Sequence, residues 1–240
     1  MKRFSLLLLA LLIIVLAGCA GTPQAPIALD RATVGDSSKI GIVMTPLPKV
    51  DTSFPGASCL LCMAAAAATN SSLTKHVTSL SAEDIQQIPL RLQHSLADLG
   101  YQPVVIEKPL ILKELTKNNS KQPNAAKYNL AQYQKEYGVD RLVVVELNFV
   151  GVIRNYSSYI PTGDPQASVL GAAYMVSLEN NQYLWYQPLK IYQSAEGEWD
   201  EPPTFPGITN AFYQALERAI DQVNGPFDEE SQKTASATEL

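Results

Sequence analysis

The chain of 240 residues carries 18 basic and 23 acidic side chains, for a net charge of −5, and 46% of it is apolar. That balance excludes nucleic acid or an anionic headgroup surface as the main partner, because both demand a basic face. Two histidines and three cysteines leave little material for metal or nucleophile chemistry.

The first element is Lys2-Arg3, an unbroken apolar run from Leu6 to Val15, and then Leu16-Ala17-Gly18-Cys19. A charged start, an apolar middle and a small-residue end spell an export signal. The run falls short of the roughly 20 residues that a spanning helix needs. Its ending resembles the lipobox of bacterial lipoproteins. The resemblance implies that Cys19 is acylated and opens the mature chain. It also implies that Ala20, where an aspartate would signal inner-membrane retention, directs the protein to the outer membrane, lipid-anchored and facing the periplasm. The expected parts are a signal peptide over 1–18, a lipidated tether over 19–38, an α/β domain over 39–224 and a disordered tail over 225–240.

Within the domain, Lys39 to Met44 is a short apolar run stopped by Pro46 and Pro48, the pattern of a buried strand. The stretch SCLLCMAAAAATN, Ser58 to Asn70, follows. Ser81 then precedes Glu83 and Asp84 as an N-cap with first-turn acids, and Ile85, Ile88, Leu92, Leu96 and Leu99 recur at helical spacing up to Gly100. Pro89 inside that pattern means that the helix kinks or begins there. Tyr101 to Glu107 is the next strand, and Pro109 opens a short helical stretch with Ile111, Leu112 and Leu115.

Asn124 reads as the cap of a helix bearing Ala126, Leu130, Tyr133 and Tyr137 on one face, closed by Gly138. The longest strand signal follows. Val143, Val145, Leu147, Phe149 and Ile153 share one face, and the other starts with Leu142 and Val144 but turns polar at Glu146 and Asn148. Such a strand is buried on both faces at its start and on one later. Ala167 to Leu178 and Tyr183 to Gln193 form a hairpin across Glu179-Asn180-Asn181-Gln182, and Phe212, Leu216, Ile220 and Val223 give a terminal helix. The expected fold is α/β, a mixed β-sheet of about five strands with helices packed on it.

An exported chain whose helix ends in Glu136-Tyr137-Gly138-Val139-Asp140-Arg141-Leu142-Val143, with Leu184-Trp185 on a later hairpin, resembles three groups of envelope lipoproteins. These are the curli-secretion-channel lipoproteins, the pellicle-polysaccharide export lipoproteins and the lipoprotein activators of penicillin-binding proteins. All share a domain like the amino-terminal domain of the translocation protein TolB. The resemblance covers roughly Lys39 to Asn224 and implies a scaffold, pore ring or activator without catalytic residues. It departs from the pattern at Asn180-Asn181, and it lacks the long alternating segments from which the curli channel builds a barrel.

The residues themselves point away from catalysis. His94 lies off the apolar stripe of its helix, His76 falls in a polar linker beside Lys75, and no nucleophile elbow or glycine-rich phosphate loop occurs. No enzyme activity, metal or cofactor is expected. Aromatic residues crowd the stretch from Phe149 to Phe205, about half of them as ordinary strand residues. Tyr159 and Trp199, in loops rich in Gly and Pro, are the candidates for partner contact.

Cys59 and Cys62 leave several readings open. A metal site lacks two ligands. A catalytic thiol pair has Ser58 as a helix cap that would depress the Cys59 pKa, but it lies well beyond the first strand, away from a thioredoxin-like context. A structural disulfide or two buried thiols in a short helix, and a helix of small residues facing a partner or lipid, use the same facts, since Cys59 to Ala68 carries no charge. The sequence therefore reads as a non-enzymatic outer-membrane lipoprotein, held to the membrane by its lipid and binding a protein partner or its own copies. Such a protein would be an accessory or oligomeric part of secretion, surface-polysaccharide or peptidoglycan machinery. The alternative is a periplasmic thiol-disulfide oxidoreductase using Cys59 and Cys62.

Overall fold

The computed structural model describes residues 23–35 and 38–228. The export signal, Cys19 and the last twelve residues, 229–240, lie outside them. Five strands lie side by side in the order β3 (Gln102–Val105), β1 (Lys39–Met44), β4 (Arg141–Ile153), β7 (Gln166–Ser177) and β8 (Gln182–Ser194). β1 is parallel to both β3 and β4, whereas β4, β7 and β8 form an antiparallel meander, so the sheet is mixed. A sixth, β2 (Asp51–Ser53), continues the line of β1 and pairs parallel with the far half of β4.

Two helices cover one face. Ile88, Leu92 and Leu96 of α4 (Ile88–Asp98) and Phe212, Leu216 and Ile220 of α6 (Pro206–Asn224) pack on Ile42, Val143, Val145 and Met175. Pro89 stands in the first turn of α4, where its missing N–H costs nothing, and a 3₁₀ turn over Glu83–Gln87 precedes it. The opposite face is covered only at one end, where Leu110, Leu130 and Tyr133 pack on Val43, Leu142 and Val144.

Several expectations change. The segment 124–131 is no helix: α5 spans only Gln132–Tyr137, and Asn124 adopts a positive φ of 56° instead of capping. The reason is Asn181 in the β7–β8 turn, whose side chain accepts from Leu130 N at 2.9 Å and donates to Tyr128 O at 2.8 Å. These bonds, with the bridge between Ala125 and Gln182, hold 125–130 against the turn in non-helical form. In β4 a bulge at Asn148 shifts the register against β7, so Val150, not Phe149, joins the face of Val143 and Leu147.

The tether is shorter than expected as well. Ile27 pairs with Tyr186 on the edge strand β8, and a four-residue helix α1 (Arg31–Val34), capped by Asp30, buries Val34 in the core. At the other terminus Gly225–Phe227 forms a 3₁₀ turn, and Phe227 packs edge-on against Trp185 with ring centroids 5.1 Å apart. The fold therefore takes in residues on both sides of 39–224. Burial of one apolar side chain at each end, worth about 2 kcal/mol apiece, opposes fraying.

Gly151 of β4 passes so close to β2 that a Cβ there would fall inside the carbonyl of Asp51. Gly151→Ala should cost about 3 kcal/mol or more and detach β2 before the rest of the sheet. Hydrogen exchange at Thr52 and Ser53, compared with β7, measures that order of loss.

Candidate functional site

Between β2 and α4 the chain leaves the sheet and builds α2 (Leu60–Thr69) and α3 (Ser71–Val77). The uncharged stretch is thus a surface helix. Only Cys62 and Ala66, one turn apart, are buried on α2, against Ala57, Tyr156 and Phe54. Leu60 and Leu61 are 82% and 72% exposed, and Met63 is half exposed. No charged residue stands between Asp51 and Lys75.

Cys59 and Cys62 form a disulfide, with Cα atoms 4.9 Å apart. Cys59, not Ser58, is the N-cap residue, and its Sγ accepts from Cys62 N at 2.9 Å. Tyr159 belongs to a small hairpin, β5 (Tyr156–Ser157) with β6 (Ile160–Pro161), and its hydroxyl lies 3.6 Å from Cys59 Sγ. That contact brings the hairpin, with Tyr159 and Ile160 largely exposed, against the amino end of α2. Gly56 makes the approach possible: at φ +89° it lets the backbone touch the Tyr156 carbonyl, where any Cβ would collide.

A buried asparagine locks this platform. Asn70, between α2 and α3, donates to Tyr156 Oη at 2.6 Å and to Ala66 O at 2.7 Å, and its Oδ1 accepts from Arg154 at 2.9 Å. The Arg154 guanidinium in turn lies over the Trp199 ring, 4.6 Å from its centre. Trp199 is therefore half-buried, packed beside Phe205 and Val152, while Tyr159 remains on the open surface. Asn70 and Arg154 carry no signal in the sequence, because the bonds that join Asn70 to Tyr156 and to Arg154 span more than eighty positions.

His76 sits on α3 rather than in a linker. Its Nε2 is 2.7 Å from Thr209 Oγ1 and its ring packs against Phe205, and burial pushes its pKa below the ordinary 6.5. His94 is exposed on α4. Among the described residues no group of three or more His, Cys, Asp or Glu could hold a metal ion, and no helix is long and apolar enough to cross a membrane. Of the remaining aromatics, Trp185 is buried, and Tyr174, Tyr183 and Tyr186 gather on the other side of the sheet.

No family model and no curated protein matches the sequence. The chain is similar to several solved structures. A variant PelC dodecamer from Paraburkholderia phytofirmans is 12% identical, over 85% of this chain and 94% of that one, with a TM-score of 0.34. Lipoprotein GNA1162 from Neisseria meningitidis is 15% identical, over 76% and 97%, with a TM-score of 0.27. A putative neuraminyllactose-binding hemagglutinin homolog from Helicobacter pylori is 9% identical, over 93% and 97%, with a TM-score of 0.34.

Two outcomes test the geometry of the platform. Asn70→Ala leaves Arg154 and Tyr156 without a shared partner, so it should cost about 2 to 3 kcal/mol and speed hydrogen exchange in α2 more than in α6. The neutral His76 favoured by the fold makes its contribution above the ordinary histidine range, and that contribution is lost as pH falls through it. The melting temperature should drop between about pH 7 and pH 5, with His76→Gln flattening that part of the curve.

Proposed function

We propose that this protein is a non-enzymatic component of an envelope assembly, tethered through an acylated Cys19 to the outer membrane and engaging a protein partner through α2 and the β5–β6 hairpin. One observation carries the reading: exposed apolar residues Leu60, Leu61 and Met63 on α2 and Tyr159 and Ile160 on the hairpin, two segments joined where Tyr159 meets Cys59 and stiffened by a disulfide and a buried hydrogen-bond node. Apolar surface of this kind marks an interaction site when it is contiguous and rigid. Its chemistry selects the partner. Without a lysine or arginine between Asp51 and Lys75 it offers nothing to anionic headgroups, whereas alanines at Ala64, Ala65, Ala67 and Ala68 let a facing helix approach closely. A second copy of the chain and a different protein share that chemistry.

Leu60→Asp with Leu61→Asp should leave the melting temperature nearly unchanged, because both side chains already face solvent. The same pair should abolish cross-links formed in intact cells by a photo-reactive residue at position 64. Unaltered cross-links, or a wild-type protein that is monomeric and without partners in the envelope, would sink the proposal.

A second reading has its own observation. Cys59 is exposed at the amino end of α2 while Cys62 is buried one turn on, the asymmetry of a disulfide-exchanging pair. A periplasmic thiol-disulfide oxidoreductase would lose all exchange with a glutathione couple in Cys59→Ser and would trap mixed disulfides in Cys62→Ser. Wild-type behaviour of both variants removes that reading.

A further inference from the structure

On the face of the sheet away from α4 and α6, the covering layer ends at Leu130 and leaves a cleft of about 530 Å³. Tyr174, Tyr183 and Tyr186 form its wall. Tyr174 and Tyr186 stack with centroids 5.9 Å apart and planes 16° apart, and the Tyr183 ring stands edge-on to both, at 78° and 63° with centroids 5.2 and 5.1 Å away, making a corner with that pair. Glu146 projects into the same space from β4, and Tyr174 Oη donates to its carboxylate at 3.4 Å. Lys127 stands at the mouth with its Nζ 5.2 Å over the Tyr128 ring, and Pro23 and Gln24 close the remaining side.

The charge distribution selects a ligand. Among the described residues the ion pair within 4 Å is Arg91–Asp221, and neither Lys127 nor Lys113, across the strand from the cleft, comes that near to Glu146. A half-buried carboxylate is thus left facing aromatic rings without a counter-ion. Burial and this carboxylate together push the Tyr174 pKa well up, and burial, then Glu146, raises that of Tyr186, so these rings stay neutral at any physiological pH. A neutral sugar can donate hydroxyls to Glu146 but leaves its charge without a counter-ion. An alkylammonium group satisfies the carboxylate and takes the ring faces by cation–π attraction, as Lys127 already does on Tyr128.

We propose that this cleft binds an ammonium head group of the phosphoethanolamine type, its nitrogen between Glu146 and the tyrosine corner and its phosphate at Lys127. Position suggests the source. Pro23 lies four residues after Cys19, at most about 14 Å along the chain. The cleft mouth therefore sits within reach of the lipid surface. The choice of a lipid head group over a soluble amine, unlike the ammonium site itself, rests on acylation of Cys19.

Titration calorimetry on the full chain in a non-ionic detergent tests the site with choline, the neutral carbon analogue of choline, ethanolamine and glycerophosphoethanolamine. Choline and ethanolamine should bind, and the neutral analogue should bind at least about tenfold more weakly. Glu146→Gln and Tyr186→Leu should each weaken the cations by about tenfold, and Tyr174→Phe, which keeps its ring, by no more than about twofold. Lys127→Met should weaken glycerophosphoethanolamine about fivefold and leave ethanolamine unchanged. Equal affinity for the neutral analogue, indifference to Glu146→Gln in a protein that still melts at the wild-type temperature, or no heat with any cation would overturn the ammonium site. Glycerophosphoethanolamine no tighter than ethanolamine would overturn the phosphate at Lys127. Cross-linking through position 64 should be unaffected by Glu146→Gln, so failure of the cleft and failure of the protein-docking reading are separable.

Discussion

Strand β4 imposes the constraint on which the rest of the molecule depends. It pairs with β1 and β2 on one side and β7 on the other, and its first residues must bury both faces. Leu142 and Val144 need a cover that Val143 and Val145 already have from α4 and α6. The chain supplies it from the loop and short helix between β3 and β4, held by Asn181 of the β7–β8 turn. The cover is only as long as that apolar pair requires, and where it stops the exposed face turns to Glu146 and Asn148. The tyrosine cleft is thus the place where a two-faced strand becomes a one-faced strand.

Beyond the bulge at Asn148 the same strand serves a different purpose. Its far half carries β2 through Gly151, and β2 leads into α2 and α3, while Arg154, just past the strand end, reaches Asn70 and Trp199. The charge of Arg154 is half-buried there, stabilised by an amide oxygen, a carbonyl of Gly163 and an aromatic face rather than by a carboxylate. Arg154 thus brings no paired carboxylate to the foot of α2. It also makes the helix depend on residues far away in sequence, since α2 itself buries only two small side chains.

The long periodic elements were legible in the sequence because each buries a stripe on a large surface. The strand at Lys39, the helix ending at Gly100, the long strand, its hairpin and the terminal helix all stand where the apolar pattern put them. What escaped was decided by single residues. Asn181 overrode the helical pattern at 126–130, Asn148 shifted the face of Phe149, and Val34 and Phe227 drew segments of low apolar content onto the core. The uncharged helix was legible as a segment, but its orientation was not, because an alanine-rich helix has almost no amphipathic contrast. The sequence named Tyr159 and Trp199 on equal grounds. Arg154, Phe205 and Val152 separate them, packing against one ring and leaving the other open.

The cleft and the apolar platform lie toward opposite ends of the long strands. Tyr183 and Tyr186 begin β8, and the platform follows Ile153, which pairs with Gln166 and through it with Ser194 at the end of β8. Ile27 fixes the start of the described chain to Tyr186 at the cleft end, and in doing so it covers part of the edge that β8 would otherwise expose. With lipid on Cys19, that attachment would hold the cleft toward the membrane and direct Leu60, Leu61 and Ile160 away from it. In that placement the apolar surface would gain nothing from the bilayer, and the stabilisation available for covering it, about 2 kcal/mol for each leucine, would come from protein. The Ile27–Tyr186 pairing thus ties the start of the described chain to the cleft end of the sheet and not to the platform end.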